Sequence, residues 1–238
     1  MPASIAQFVM SRLAVRGLAA LAILGTLAGA GRAAGEPADA PRPLVLFDGR
    51  TLDGWKKTDF YEAEKVDVRV DDGRIILPVG RPLSGVTTTR TDLPNTNYEL
   101  TYEAMRLEGT DFFAAATFPV GESFLTLVNG GWGGHITGLS SLNGADASEN
   151  ETARGFTYKN DTWYRFRVRV TDQAVRCAID DKPMIAVDIE GRLLGTRIEV
   201  RSNQPLGFAT WESAGALRNV EIRALSPAEI AENRVDED

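Results

Sequence analysis

Between Val66 and Leu225 short stretches alternate apolar with polar residues again and again, and helical spacing is almost absent. Val66-Asp67-Val68-Arg69-Val70 alternates, Asp72-Gly73 turns the chain and Arg74 to Leu77 returns, which predicts a hairpin. Tyr98, Leu100 and Tyr102 share one face of the next strand, with Glu99, Thr101 and Glu103 on the other. Tyr164, Phe166, Val168 and Val170 stand opposite Arg165, Arg167 and Arg169 in the same way. Further strands are expected over 112–118, 124–128, 184–189, 197–201, 206–210 and 217–225, with Asp180-Asp181-Lys182-Pro183 turning another hairpin. Short strands joined by turns, without helical crossovers, predict an all-β jelly roll or sandwich of two antiparallel sheets. Trp55, Leu100, Tyr102, Phe166, Val168, Val170, Val220 and Ile222 fall on its buried faces. Only the end reads as helix. Ser226-Pro227-Ala228-Glu229 supplies an N-cap, a proline at the first position and an acid at the third, so 227–238 is expected to be a short helical tail.

The other end is not part of that domain. Arg12 and Arg16, an uncharged run from Gly17 to Gly31, and small residues at Ala28, Ala30, Gly31 and Ala33 make residues 1–33 a secretory signal. The run is shorter than the roughly 20 apolar residues of a membrane span; a retained N-terminal helix is the alternative. No cysteine stands near the cleavage site to carry a lipid. Prolines 37, 41 and 43 make 34–43 a stiff linker, which leaves one domain at 44–226. The expected location is periplasmic or extracellular, without stable membrane insertion.

The formal charge of −7 grows more negative once Arg12 and Arg16 are removed. Such a chain is a poor nucleic-acid binder, since phosphate contacts rest on Lys and Arg. The single cysteine, Cys177, excludes an internal disulfide and, on an alternating strand, reads as a small buried hydrophobe. With one histidine besides, a zinc site of ordinary Cys/His type is excluded too.

Leu46 to Trp55 reads Leu-Phe-Asp-Gly-Arg-Thr-Leu-Asp-Gly-Trp, a short buried strand, two Asp-Gly turns and an aromatic anchor. Asn160-Asp161-Thr162-Trp163-Tyr164-Arg165 opens a strand, and Ile179 to Met184 forms a hairpin with Asp181 at its tip. Pro205-Leu206-Gly207-Phe208-Ala209 and Leu217-Arg218-Asn219-Val220-Glu221-Ile222 close the domain. In order and spacing these pieces resemble the 3-keto-disaccharide hydrolase family from Leu44 to Leu225. The resemblance implies a concanavalin-like jelly roll of two curved sheets. The chain departs from the family where many members line the concave face: the segment there reads Asp111-Phe112-Phe113-Ala114-Ala115-Ala116-Thr117-Phe118, followed by Asn129-Gly130-Gly131-Trp132-Gly133-Gly134-His135. The usual Gln-x-His near the end is Ala209-Thr210-Trp211. The fold therefore transfers more directly than the catalytic residues.

Asn129 to Thr152 is the richest segment for chemistry. Its glycines admit close backbone approach, Trp132 suits stacking on a sugar ring, and Asn143, Asp146, Ser148, Glu149, Asn150 and Glu151 offer polar partners. The structural alternative is a corner bend with Trp132 plugging the core. His135 is the one side chain with an ordinary pKa near neutrality. Asp146, Glu149 and Glu151 suit an acid/base group, a divalent-cation clip or a solvated loop. Asn150-Glu151-Thr152 also fits a glycosylation sequon. The Arg165, Arg167 and Arg169 stripe reads as an anion or saccharide surface, or as an exposed face paired with Glu99 and Glu103.

The family chemistry implied by the resemblance acts on sugars oxidised at C3. The ketone acidifies the C2 proton, a base removes it, the enolate expels the glycosidic oxygen, and water adds to the unsaturated sugar. On that reading His135 is the base and Glu149 its acid partner. Asn129, Asn150 and Arg154 contact hydroxyls or the enolate, and Trp132 and Trp211 are ring platforms. The metal is not specified; a divalent cation is the one cofactor that would fit, replacing the enolate donors. The rival reading is a non-catalytic, laminin-G-like carbohydrate-binding module, and a third is a cell-surface interaction domain. Either of the first two takes a saccharide or 3-keto-glycoside as partner. Convergence of His135, Glu149 and Trp132 in one concave pocket favours the enzyme; a flat aromatic face favours the lectin.

Overall fold

The computed structural model describes residues 41–235. The export signal expected over 1–33, and the linker expected over 34–43 up to residue 40, lie outside the described residues. Among the described residues no helix is long and apolar enough to cross a membrane.

The chain forms two antiparallel sheets. In sequence order the strands are β1 (Leu44–Val45), β2 (Trp55–Lys57), β3 (Arg69–Asp71), β4 (Arg74–Leu77), β5 (Leu83–Thr88), β6 (Tyr98–Glu108), β7 (Ala115–Val120) and β8 (Ser123–Gly130). They continue with β9 (Ile136–Ser140), β10 (Arg154–Gly155), β11 (Trp163–Val170), β12 (Ala174–Ile179), β13 (Lys182–Asp188), β14 (Gly207–Trp211) and β15 (Ala214–Ala224). One sheet runs β13-β12-β11-β6-β15-β4-β3 with β1 added on β15; the other runs β10-β9-β8-β7-β14-β5-β2. The jelly-roll sandwich expected from the alternation is therefore observed, including the helix α1 (Pro227–Glu232) at its end.

Every residue expected in the core is buried, from Trp55 to Ile222. Aromatics link the sheets: Tyr102 of β6 stacks on its in-sheet neighbour Phe166 of β11 at 4.9 Å and meets Phe208 of β14, in the opposite sheet, edge-on at 4.9 Å. Each such pair adds about 0.5–1.5 kcal/mol beyond the area it buries. The Leu46–Trp55 signature closes as its residues dictate. Asp48 accepts the amides of Arg50 and Thr51 at 2.7 and 2.8 Å, Gly49 and Gly54 take positive φ, and the Trp55 indole donates to the Leu46 carbonyl at 2.7 Å.

Three expectations change, the first at 112–114, which lie in the loop before β7 rather than in the strand expected over 112–118. Residues 197–201 are not a strand: a 3₁₀ segment, Ile198–Asn203, lies against β5 and β14. Asn203 anchors it, its Oδ1 accepting from Thr58 Oγ1 at 2.8 Å, while Thr87 Oγ1 donates to the Ser202 carbonyl at 3.1 Å. The arginine stripe pairs differently from the expected register partners. Arg169 reaches Glu99 at 2.5 Å, but Glu103 is taken by Arg218 at 2.6 Å, and Arg165 and Arg167 turn to Asp181.

Candidate functional site

β5 and β7 are buried along their whole length, so the second sheet has no wet face there. On the side of that sheet away from the core, the 3₁₀ segment Ile198–Asn203 packs against β5 and β14. Phe60, Leu83, Val200 and Ala209 form a separate apolar cluster, with Phe112 and Trp211 packed against it. A cavity of about 240 Å³ opens beside this cluster. Phe112, Val128, Val200 and Trp211 give it apolar walls, Trp132 stands at its edge, and Asp111, Arg197 and Glu199 supply charge.

The glycine run places Trp132. At Gly134 (φ +101°) a Cβ would lie 2.4 Å from the Thr110 carbonyl oxygen, and at Gly131 it would lie 2.7 Å from the Val128 side chain. Only glycine lets this turn press so closely on its neighbours. Trp132 itself has φ 51° and is 41% exposed, so it does not plug the core. Asp111 ties the two loops together: its Oδ1 accepts from the Phe112 amide at 2.7 Å and its Oδ2 from the Gly133 amide at 2.9 Å. Behind it the buried Arg106 donates to the carbonyls of Thr110, at 3.0 Å, and Tyr158, at 2.8 Å, and to Asn160 Oδ1 at 2.6 Å.

On the other wall Arg197 is forked onto Glu199 at 2.8 and 3.3 Å and bonded to Asp146 at 2.7 Å. Its guanidinium carbon lies 6.0 Å from the Trp132 ring centroid, within cation–π range. Hydrogen bonds from Arg197 hold the Glu199 carboxyl below its ordinary pKa, and those to Glu199 raise the pKa of Arg197. The pair stays ionised at neutral pH.

Of the residues singled out from the sequence, the cavity collects Trp132 and Trp211. His135 is exposed and does not line it; only its backbone is engaged, the amide with Gly131 and the carbonyl with Phe156. Glu149 is exposed on the loop beyond Arg197, where its charge adds to the field that raises the pKa of Arg197. Asn129 is buried between the sheets, donating to Tyr102 Oη and the Ala114 carbonyl, both at 3.1 Å. Asn150 spends its side chain bracing its own loop, donating to the carbonyls of Leu139, Ala145 and Asp146 and accepting from Thr152. Arg154 holds the carbonyls of Glu151 and Ala153 at 2.8 Å. Asp146 and Glu151 are paired with Arg197 and Arg192. Among the described residues no three His, Cys, Asp or Glu side chains converge as metal ligands.

Asp111, Arg197 and Glu199 were not among those candidates. Asp111 heads the segment that the family resemblance places on the concave face. Arg197 and Glu199 were hidden because their segment reads as a strand, whereas the 3₁₀ turn after Arg197 folds it over the sheet.

A cavity on one sheet of a two-sheet jelly roll, with tryptophans over charged groups, is the build of a carbohydrate-active sandwich domain. Residues 43–223 match the model of the 3-keto-alpha-glucoside-1,2-lyase-like domain, and the chain belongs to that family. Solved structures share the fold, two of them as follows. Domain 4 of AbnA, a GH43 extracellular arabinanase from Geobacillus stearothermophilus, in complex with arabinotriose, is 14% identical with a TM-score of 0.52, covering 82% of this chain and 97% of that one. Crh5 transglycosylase in complex with NAG is 12% identical with a TM-score of 0.52, covering 80% and 86%. No curated protein sequence matches the chain.

Proposed function

We propose that the cavity takes the keto-bearing ring of a 3-keto-glycoside and cleaves its glycosidic bond by elimination and hydration, in a protein exported by residues 1–33. The observation that carries this reading is the meeting, in one cavity sized for a single sugar ring, of two tryptophans, a carboxylate that pairs with no cation among the described residues, and an ionised Arg–Glu pair. The family supplies the substrate class.

Asp111 is the base. Each of its oxygens accepts one backbone amide and keeps a further lone pair. It takes the C2 proton, the electrons move onto the C3 oxygen, and Arg197 meets the charge that develops there. When the ketone re-forms, the C1–C2 double bond forms and the C1–oxygen bond breaks. The departing oxygen is protonated by the Asp111 carboxyl, and water adds across C1–C2 to complete the hydrolysis. Glu199 and Asp146 hold Arg197 in place for this role.

A non-catalytic carbohydrate-binding module is the second reading. The observation favouring it is that Asp111 and Glu199 are both already hydrogen-bonded through each carboxylate oxygen, as in a rigid binding site. Release of aglycone from a 3-keto-glucoside separates the two. Asp111→Asn should lower turnover about 10²–10⁴-fold, the span of a general base. Trp132→Ala should act mainly on KM, and His135→Ala should stay within a few-fold of wild type. Full activity in Asp111→Asn removes it as base, and sugar binding without any turnover establishes the module.

A further inference from the structure

The face of the other sheet, away from the cavity, carries a second depression, of about 390 Å³, on β11, β12 and β13. Arg167, Arg169 and Arg176 line it, and Arg154 arrives from β10 at the edge of the opposite sheet. The register explains the dent. Arg167 pairs with Ala178 and Arg176 with Ala186, so methyl groups lie where long side chains would fill the space. Pro183 and Met184 add apolar surface beside them.

The charge on this face does not cancel among the described residues. Arg169 is balanced, reaching Glu99 at 2.5 Å and Glu229 at 3.3 Å, acids it shares with Arg223. Asp181 serves both Arg165 and Arg167, at 3.7 and 3.5 Å. Arg176 donates to the carbonyls of Asn233 and Arg234, and Arg154 to those of Glu151 and Ala153. Those carbonyls orient the guanidiniums without neutralising them.

We propose that this depression binds a carboxylate-bearing saccharide, of the uronate class. A guanidinium fork matches a carboxylate bidentately. The alanine, proline and methionine surface suits the C–H face of a sugar ring better than it suits a small hydrated anion. The net charge of −7 repels polymers with dense phosphate or sulfate, so an anion spread at one charge per sugar is the better fit. The site is independent of the cavity chemistry and needs none of its residues.

Calorimetric titration of the full chain with an oligogalacturonate, and with its methyl ester, tests the proposal. The acid should bind, the ester should not, and affinity should fall with added salt. Arg167→Gln and Arg154→Gln should each weaken binding about tenfold, the worth of a charge-assisted hydrogen bond. Ala178→Glu, which sets a carboxylate in the dent, should abolish it; melting curves check the fold of each variant. Equal binding of acid and ester, unchanged affinity in all three folded variants, absence of binding, or binding only of sulfate or anionic phospholipid vesicles would overturn it.

Discussion

Asn150 shows how one side chain can be mistaken for a ligand contact. Its amide donates to three carbonyls within its own loop, so the polar residue that looked available to a sugar is holding Leu139, Ala145 and Asp146 in place. Asn150→Ala should cost about 2–4 kcal/mol in denaturant unfolding, because it strands several buried or half-buried acceptors. The same geometry makes the sequon a poor glycosylation site, since a glycan nitrogen cannot keep all three bonds. At Gly134 the constraint is steric. Gly134→Ala puts a methyl into the Thr110 carbonyl at a positive φ, and should lower stability by about 2–3 kcal/mol while weakening sugar binding through a displaced Trp132. Unchanged stability would mean that the turn can move away from Thr110.

Among the elements, α1 is held by charge. Glu229 completes a capping box with Ser226 and joins Arg169 and Arg223, while Glu99 binds the same two arginines from β6. Hydrogen bonds from Arg223 pull the Glu229 carboxyl down from 4.5 to about 2. A lowered native pKa means stability that is complete above the unfolded value and is lost as pH falls from about 4.5 towards about 2. Thermal melts should therefore show wild type losing its advantage over Glu229→Gln across that window; a constant gap would contradict the assignment. The start of this helix was legible because its capping residues are adjacent in sequence. The segment 197–203 was not, because Ile198 and Val200 alternate with charged residues as on a strand, while in the 3₁₀ turn Val200 is buried and Ile198 exposed. What decides between them is Asn203 meeting Thr58 and Thr87, partners more than 100 residues away.

At the scale of the whole molecule, alternation read from the chain places the core faces because a one-residue slip would expose all of them together. The Leu46–Trp55 motif was equally legible, being a local network of turns and one indole bond. Trp55→Phe, which removes that 2.7 Å bond and strands the Leu46 carbonyl, should cost about 1–3 kcal/mol. The candidate site was legible only in its two tryptophans. Its charged groups come from the 110–112 loop and the 197–199 segment, which only the closed sandwich brings together. His135, distinctive by type, is exposed and does not line the cavity. On the proposed function, this cavity removes the proton at C2 of a 3-keto sugar. Proton NMR of a 3-keto-glucoside incubated with the protein in D₂O tests it most directly. The C2 proton signal should disappear alongside aglycone release, with both abolished in Asp111→Asn and retained in His135→Ala. Aglycone release from substrate whose product keeps its C2 hydrogen, or no release and no exchange from a bound ligand, would contradict it.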